Sequence, residues 1–131
     1  MKVLALDHGT VRTGVAVSDV TGTLARPLTV LERVDSDAGF AALLALVRAE
    51  RPGQVVVGLP LSLDGGEHVQ ARRARAFATR LAAAVGVPVE LFDERYTTLL
   101  ADRRGGSAAR DARAAATLLE EYLRTRNAQG T

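Results

Sequence analysis

The apolar pattern changes period once along this chain, and that change restricts the fold more than any other feature. From Met1 to Asp7, Val15 to Val20 and Leu24 to Glu32 the residues read as strands, separated by turns carrying Asp7-His8-Gly9-Thr10 and Gly22. Three strands on short turns form an antiparallel meander, and Pro27 is best tolerated if the third lies at a sheet edge. From Ser36 onward helical and strand patterns alternate. Ser36 can cap a helix running to about Arg51, with Phe40, Leu43, Leu44 and Val47 in one narrow arc. Pro52-Gly53 ends that helix. Gln54 to Gly58, with three successive valines, reads as a strand covered on both faces. A helix from about Glu67 to Val85, a strand from Val87 to Phe92, a short helix around Thr97 to Arg104 and a last helix from about Ala108 to Arg126 complete the order βββαβαβαα. The expected fold class is α/β: a mixed five-stranded sheet, an antiparallel meander followed by parallel strands, with helices on both faces.

With 131 residues the chain has the size of one domain, spanning 1–131, and can bury roughly two-thirds of its unfolded surface without staples. Cysteine is absent, which excludes a disulfide scaffold, a Cys-ligated zinc and a thiol nucleophile. The apolar runs fall far short of the roughly 20 residues needed to span a bilayer. The run after Lys2 stops at Asp7, too soon for a signal peptide. No membrane partner and a cytoplasmic location are expected.

The net charge is only +2, yet Lys2 is the single lysine among 17 basic residues. Arginine forks onto two phosphate oxygens, so the bias suits nucleic acid; a GC-rich genome, which also favours the abundant alanine, explains it equally well. Placement separates the two readings. In the second helix Arg72, Arg73, Arg75 and Arg80 lie opposite Ala74, Phe77, Ala78, Leu81 and Val85, as on any solvated face. Arg103, Arg104, Arg110 and Arg113 instead flank an unusually placed acid, Asp111.

Three acids stand where the pattern does not favour them. Asp7 ends a strand in which Val3 and Ala5 share its face, and a carboxylate there costs free energy unless it is paired or bound. Glu94 follows the fifth strand at its carboxyl end, where ligands gather in open α/β sheets. Asp111 projects into the arc of Ala115, Leu118, Leu119 and Tyr122, in the first turn of the last helix. An acid in a first turn also stabilises the helix dipole, which accounts for the turn but not the face. Three converging carboxylates would make an oxygen-only site suited to Mg²⁺ or Mn²⁺. Two such ions about 4 Å apart can activate a water and stabilise the leaving oxygen of a phosphodiester. His68 reads as a solvated or capping residue, and His8, beside Asp7, has no role fixed by its neighbours.

Four blocks together resemble one family of the RNase H-like fold. They are Leu6-Asp7-His8-Gly9-Thr10 with Gly14-Val15-Ala16-Val17-Ser18-Asp19; Val57-Gly58-Leu59-Pro60-Leu61 with Asp64-Gly65; Phe92-Asp93-Glu94-Arg95-Tyr96-Thr97-Thr98; and Asp111 with Ala115-Ala116 and Leu118-Leu119-Glu120-Glu121-Tyr122. In order and spacing these are similar to the YqgF/RuvX family of pre-16S rRNA nucleases, related to Holliday junction resolvases. The resemblance implies an RNase H-like, metal-dependent nuclease using Mn²⁺ or Mg²⁺. Its implied role is in maturing the 5′ end of pre-16S rRNA, with single-stranded or branched DNA as a further substrate class. It makes Asp7 the central metal ligand, Glu94 the second acid and Asp111 the third, with Asp93 an alternate ligand. Arg95 becomes a phosphate contact, and Arg12, Arg103, Arg104 and Arg110 border the acids as further nucleic-acid contacts. A homodimer is implied by the branched-DNA resolvases of this fold. The chain departs from the family at His8, where an apolar or aromatic residue is usual, at Val11, where a basic residue is usual, and at Arg110, where a lysine is common.

Other readings remain. A non-catalytic nucleic-acid-binding regulator of rRNA processing or transcription could use the same fold, since Gly58-Leu59-Pro60 stands where resolvases of this fold place an acid. Gly58 to Gly66 serves either as a backbone approach to phosphates or as an ordinary connection. Asp7-x-Gly9-Thr10 also resembles the phosphate loop of actin/Hsp70-type ATP-binding proteins, but those need two such domains, and the length opposes it.

Overall fold

A computed structural model describes residues 1–60, 68–93 and 108–129. The meander is β1 (Val3–Asp7), β2 (Arg12–Ser18) and β3 (Ala25–Glu32), followed by α1 (Asp37–Glu50), β4 (Gln54–Leu59), α2 (Val69–Ala84), β5 (Val89–Asp93) and α3 (Ala108–Gln129). The short helix expected around Thr97 to Arg104 lies outside the described residues. The strands form one sheet in the order β3-β2-β1-β4-β5, with β2 antiparallel to β1 and β3, and β4 parallel to β1 and β5. Pro27 is accommodated because β3 is an edge strand. Leu28 is an extra residue there: Val15 registers with Thr29 but Ala16 with Pro27.

One boundary differs from the sequence expectation. β2 begins at Arg12 rather than Val15, because Arg12, Thr13 and Gly14 pair with Glu32, Leu31 and Val30. The glycine and the arginine had hidden a strand inside a turn-like stretch. At the other end of the meander Ser36 caps α1 as expected, its Oγ accepting from the Gly39 N–H at 3.0 Å. The helix then stops at Arg51, which takes the left-handed conformation (φ 52°, ψ 53°) and donates its N–H to the Val47 carbonyl. The stop therefore comes just before Pro52-Gly53, where the sequence expects it. A proline disfavours the α conformation in the residue preceding it, which explains the position.

The sheet carries a core on each face. Leu4, Leu6, Val15, Val17, Val55 and Val57 pack under α1 and α2, against Phe40, Leu43, Phe77 and Leu81. Val3, Ala5, Ala16 and Val56 pack under α3, against Ala115, Leu118, Leu119 and Tyr122. Strand alternation assigns each residue to one core or the other, so β1 and β4 are apolar on both faces. Among the described residues, no helix is long and apolar enough to cross a membrane.

Candidate active site

The alternation that builds the two cores also sorts the acids. Asp7, at the end of β1, follows Val3 and Ala5 onto the α3 face and is half-buried. Its cross-strand neighbour is Gly14 on β2. Gly14 needs to be glycine, because a Cβ there would lie 2.0 Å from the Asp111 backbone oxygen. The first turn of α3 thus sits on Gly14, beside Asp7, and two acids remote in sequence reach the same end of the sheet through one missing side chain.

Asp111 is 28% exposed at its side chain, and its Oδ2 is buried. The Arg12 Nε lies 2.8 Å from that oxygen. Yet Oδ2 receives no aligned hydrogen bond from any described residue. The contact is one of opposite charges, not of a donor aimed at a lone pair. A buried carboxylate oxygen in this condition is unusual, because buried acceptors are nearly always satisfied. It is the kind of oxygen a hard divalent cation takes as a ligand. Arg12 reaches it because β2 alternation puts Arg12, Gly14 and Ala16 on the α3 face.

β5 contributes differently. Phe92 packs edge-on to Tyr122 of α3, with ring centroids 5.6 Å apart, and the Tyr122 hydroxyl donates to Glu90 Oε1 at 3.1 Å. Burial, the Glu90 charge and this hydrogen bond raise the Tyr122 phenol above its ordinary value. Glu90 and Phe92 therefore face α3. Asp93 registers with Leu59, whose side chain belongs to the opposite core, and is itself exposed. Glu94, Arg95, Arg103 and Arg104 lie outside the described residues. Arg110, half-buried, precedes Asp111 in the first turn of α3. Among the described residues, no three His, Asp or Glu side chains are grouped closely enough to hold a metal. Among the described residues, Asp7 and Asp111 are the expected acids on the α3 side of this sheet end, whereas Asp93 closes β5 at the same end in register with Leu59 of the opposite core.

Two features of this end were not evident in the sequence. Gly14 seats α3, which no local pattern signals. His8, left without a role, turns to the α2 face: its ring stacks on Phe77 at 4.5 Å, and Nε2 lies 3.1 Å from both Asp35 carboxylate oxygens. The His8 side chain is 3% exposed, so it pins the β1–β2 turn to α2 and to the segment before α1.

Known proteins resemble this chain over nearly its whole length. A family model described as "RuvX: Holliday junction resolvase" matches residues 1–125. A protein of Anaeromyxobacter sp. (strain Fw109-5), named "Putative pre-16S rRNA nuclease", is 46% identical over 98% of this chain and 100% of its own length. One of the same name from Maridesulfovibrio salexigens is 40% identical over 94% of this chain and 98% of its own. Among solved structures, Thermus thermophilus RuvC is similar with a TM-score of 0.61 and 20% identity, covering 98% of this chain and 97% of that one. T. thermophilus RuvC in complex with Holliday junction substrate gives a TM-score of 0.60 at 19% identity, covering 97% and 96%. At that identity the likeness concerns the fold, which is the RNase H-like arrangement expected from the sequence.

Proposed function

The chain belongs to the RuvX family, and from that membership we propose that it is a metal-dependent nuclease that hydrolyses phosphodiester bonds in pre-16S rRNA. The observation that carries the reading is Gly14, which registers with Asp7 on one side and takes the Asp111 backbone against it on the other, together with a buried Asp111 oxygen that has no aligned hydrogen bond among the described residues.

Asp7 and Asp111 would hold a divalent ion, Mn²⁺ or Mg²⁺, with Glu94 as the third acid. Asp93, exposed and in register with Leu59 of the opposite core, is the less suited of the two neighbouring acids. The ion, when bound, supplies a water acidic enough to attack phosphorus and charge to stabilise the departing oxygen. The chain's own part is orientation. The β1 ladder and the α3 core hold the two carboxylates on separate rigid elements, so neither has to be gathered when substrate arrives. Arg12 sits beside Asp111, where it can turn from the carboxylate to a phosphate oxygen. Arg95, Arg103, Arg104 and Arg110 are the further phosphate contacts in this reading.

The proposed substrate follows the relatives' name, and the place of action is the cytoplasm. Branched or single-stranded DNA is a second substrate class, cut by a homodimer. A regulator that binds RNA without cutting it is favoured by one feature, the end of β4 at Leu59, a position where resolvases of this fold carry an acid. Cleavage of an RNA spanning the 16S 5′ region, with Mn²⁺ or Mg²⁺, separates the readings. Asp7→Asn and Asp111→Asn should each lower the rate by about 100-fold or more, roughly 2.7 kcal/mol of transition-state stabilisation. Cleavage that survives both substitutions, or survives EDTA, sinks the nuclease reading.

A further inference from the structure

On the other face of the same sheet end, His8 turns away from the acids and borders a cleft with two lobes. The larger, about 490 Å³, is lined by Thr10, Asp35, Arg73, Ala76, Phe77 and Arg80. The smaller, about 170 Å³, extends from Thr10 and Arg73 to His8 and Gly9. Thr10 and Arg73 line both.

The walls are held in place. His8 is clamped between Phe77 and Asp35. The Arg80 guanidinium lies 3.8 Å over the Phe40 ring, donates to the Asp35 carbonyl at 3.1 Å, and stands 3.6 Å from the Asp37 carboxylate. Arg73 differs: among the described residues neither its guanidinium nor the Thr10 hydroxyl has a hydrogen-bond or ion-pair partner, and both are exposed. The cleft therefore offers one anchored cation, a guanidinium uncommitted among the described residues, a hydroxyl, and an apolar wall from Ala76 and Phe77, with the Asp35 carboxylate engaged by His8. A nucleotide has the matching parts, an anionic phosphate and a flat, weakly polar base.

We propose that this cleft is a strand-binding subsite, holding a nucleotide of single-stranded RNA close to the one presented to Asp7 and Asp111. The link is covalent and short. Asp7, His8, Gly9 and Thr10 are consecutive: β1 ends at Asp7 on the α3 face, and the next residue, His8, already stacks on Phe77 of α2. A strand crossing the sheet end over His8-Gly9 passes from the acids to Arg73. The assignment of a strand, in place of a free nucleotide, rests on the nuclease reading of the neighbouring acids.

The chain has no cysteine, so Ala76→Cys gives a single thiol at an exposed position inside the larger lobe. Its maleimide labelling is followed in EDTA, with a short single-stranded RNA, with AMP, or with neither. RNA should slow labelling about fivefold or more, and leave a control thiol at the exposed Ala45 of α1 unaffected. Arg73→Glu should weaken RNA binding about tenfold in fluorescence anisotropy and reduce the salt slope by about one contact. Unchanged labelling with RNA, or an Arg73→Glu protein that binds RNA as the wild type does, overturns the subsite. Protection by AMP without protection by RNA overturns the strand assignment. Failure of the nuclease reading looks different: RNA protects the thiol, and the wild-type protein with metal leaves the RNA intact.

Discussion

The Arg12 guanidinium stands 2.8 Å from the Asp111 carboxylate, joining the first residue of β2 to the first turn of α3. This contact sets one positive charge against an oxygen that has no aligned hydrogen bond among the described residues. A cation arriving at Asp111 must therefore compete with Arg12, and a phosphate arriving nearby can recruit it.

Arg12→Ala should tighten Mn²⁺ binding a few-fold, by removing that competitor, and weaken RNA binding at the same time. Calorimetric titration of Mn²⁺ and anisotropy with labelled RNA measure the two effects. The loss of stability should stay below about 1 kcal/mol, because the pair is partly exposed. Weaker Mn²⁺ binding in the variant contradicts the competition.

Gly14→Ala should be among the most damaging single-methyl additions in the protein. The new Cβ would meet the Asp111 carbonyl oxygen at 2.0 Å, and that obstacle is backbone, so α3 has to lift from β2. Overpacking of this kind costs about 1–3 kcal/mol or more. Thermal denaturation should show a lower midpoint. Any folded fraction should bind Mn²⁺ less well, as Asp111 moves away from Asp7.

Asp19 organises the β2–β3 turn, accepting from the N–H groups of Thr23 and Leu24 and from the hydroxyls of Thr21 and Thr23. Those hydrogen bonds, the Leu24 N–H first, hold its carboxyl well below the usual range. A depressed folded value means the stabilisation is complete above the unfolded value, near 3.9, and is lost as pH falls toward the folded one. Asp19→Ala should therefore lower the melting midpoint at pH 7, with the gap from wild type narrowing below about pH 4. A gap of constant size down to pH 2 contradicts this account.

Tyr122 should titrate late. Its phenol is raised by burial first and then by Glu90, so the stabilisation is fully present below the unfolded value of about 10 and is lost as pH climbs through the folded one. Ultraviolet titration should show a phenol ionising above the normal range, missing in Tyr122→Phe. That variant should also lose some stability at neutral pH, because Glu90 would keep only its long, 3.4 Å contact with Gln54 among the described residues.

The sequence was a reliable guide wherever a property repeats locally. The strand period carried β1, β3, β4 and β5, the helix period carried α1, α2 and α3, and Ser36 announced its own cap. The same periods put Asp7 on a face shared with Val3 and Ala5, and Asp111 on the arc of Ala115 and Leu118. The start of β2 was missed because Arg12 and Gly14 mimic a turn, and only pairing with β3 makes them strand.

Local patterns by themselves determined a meander followed by βα units, and acids at the ends of elements. They could do so because side-chain direction follows from backbone period alone. Which residues meet was decided by tertiary structure. Register set Gly14 opposite Asp7, the packing of α3 put Asp111 on Gly14, and that approach brought Arg12 to the carboxylate. The same docking of α2 against the sheet clamped His8 between Phe77 and Asp35. Such contacts depend on how separate elements stack, and no period in a single stretch of chain encodes that stacking.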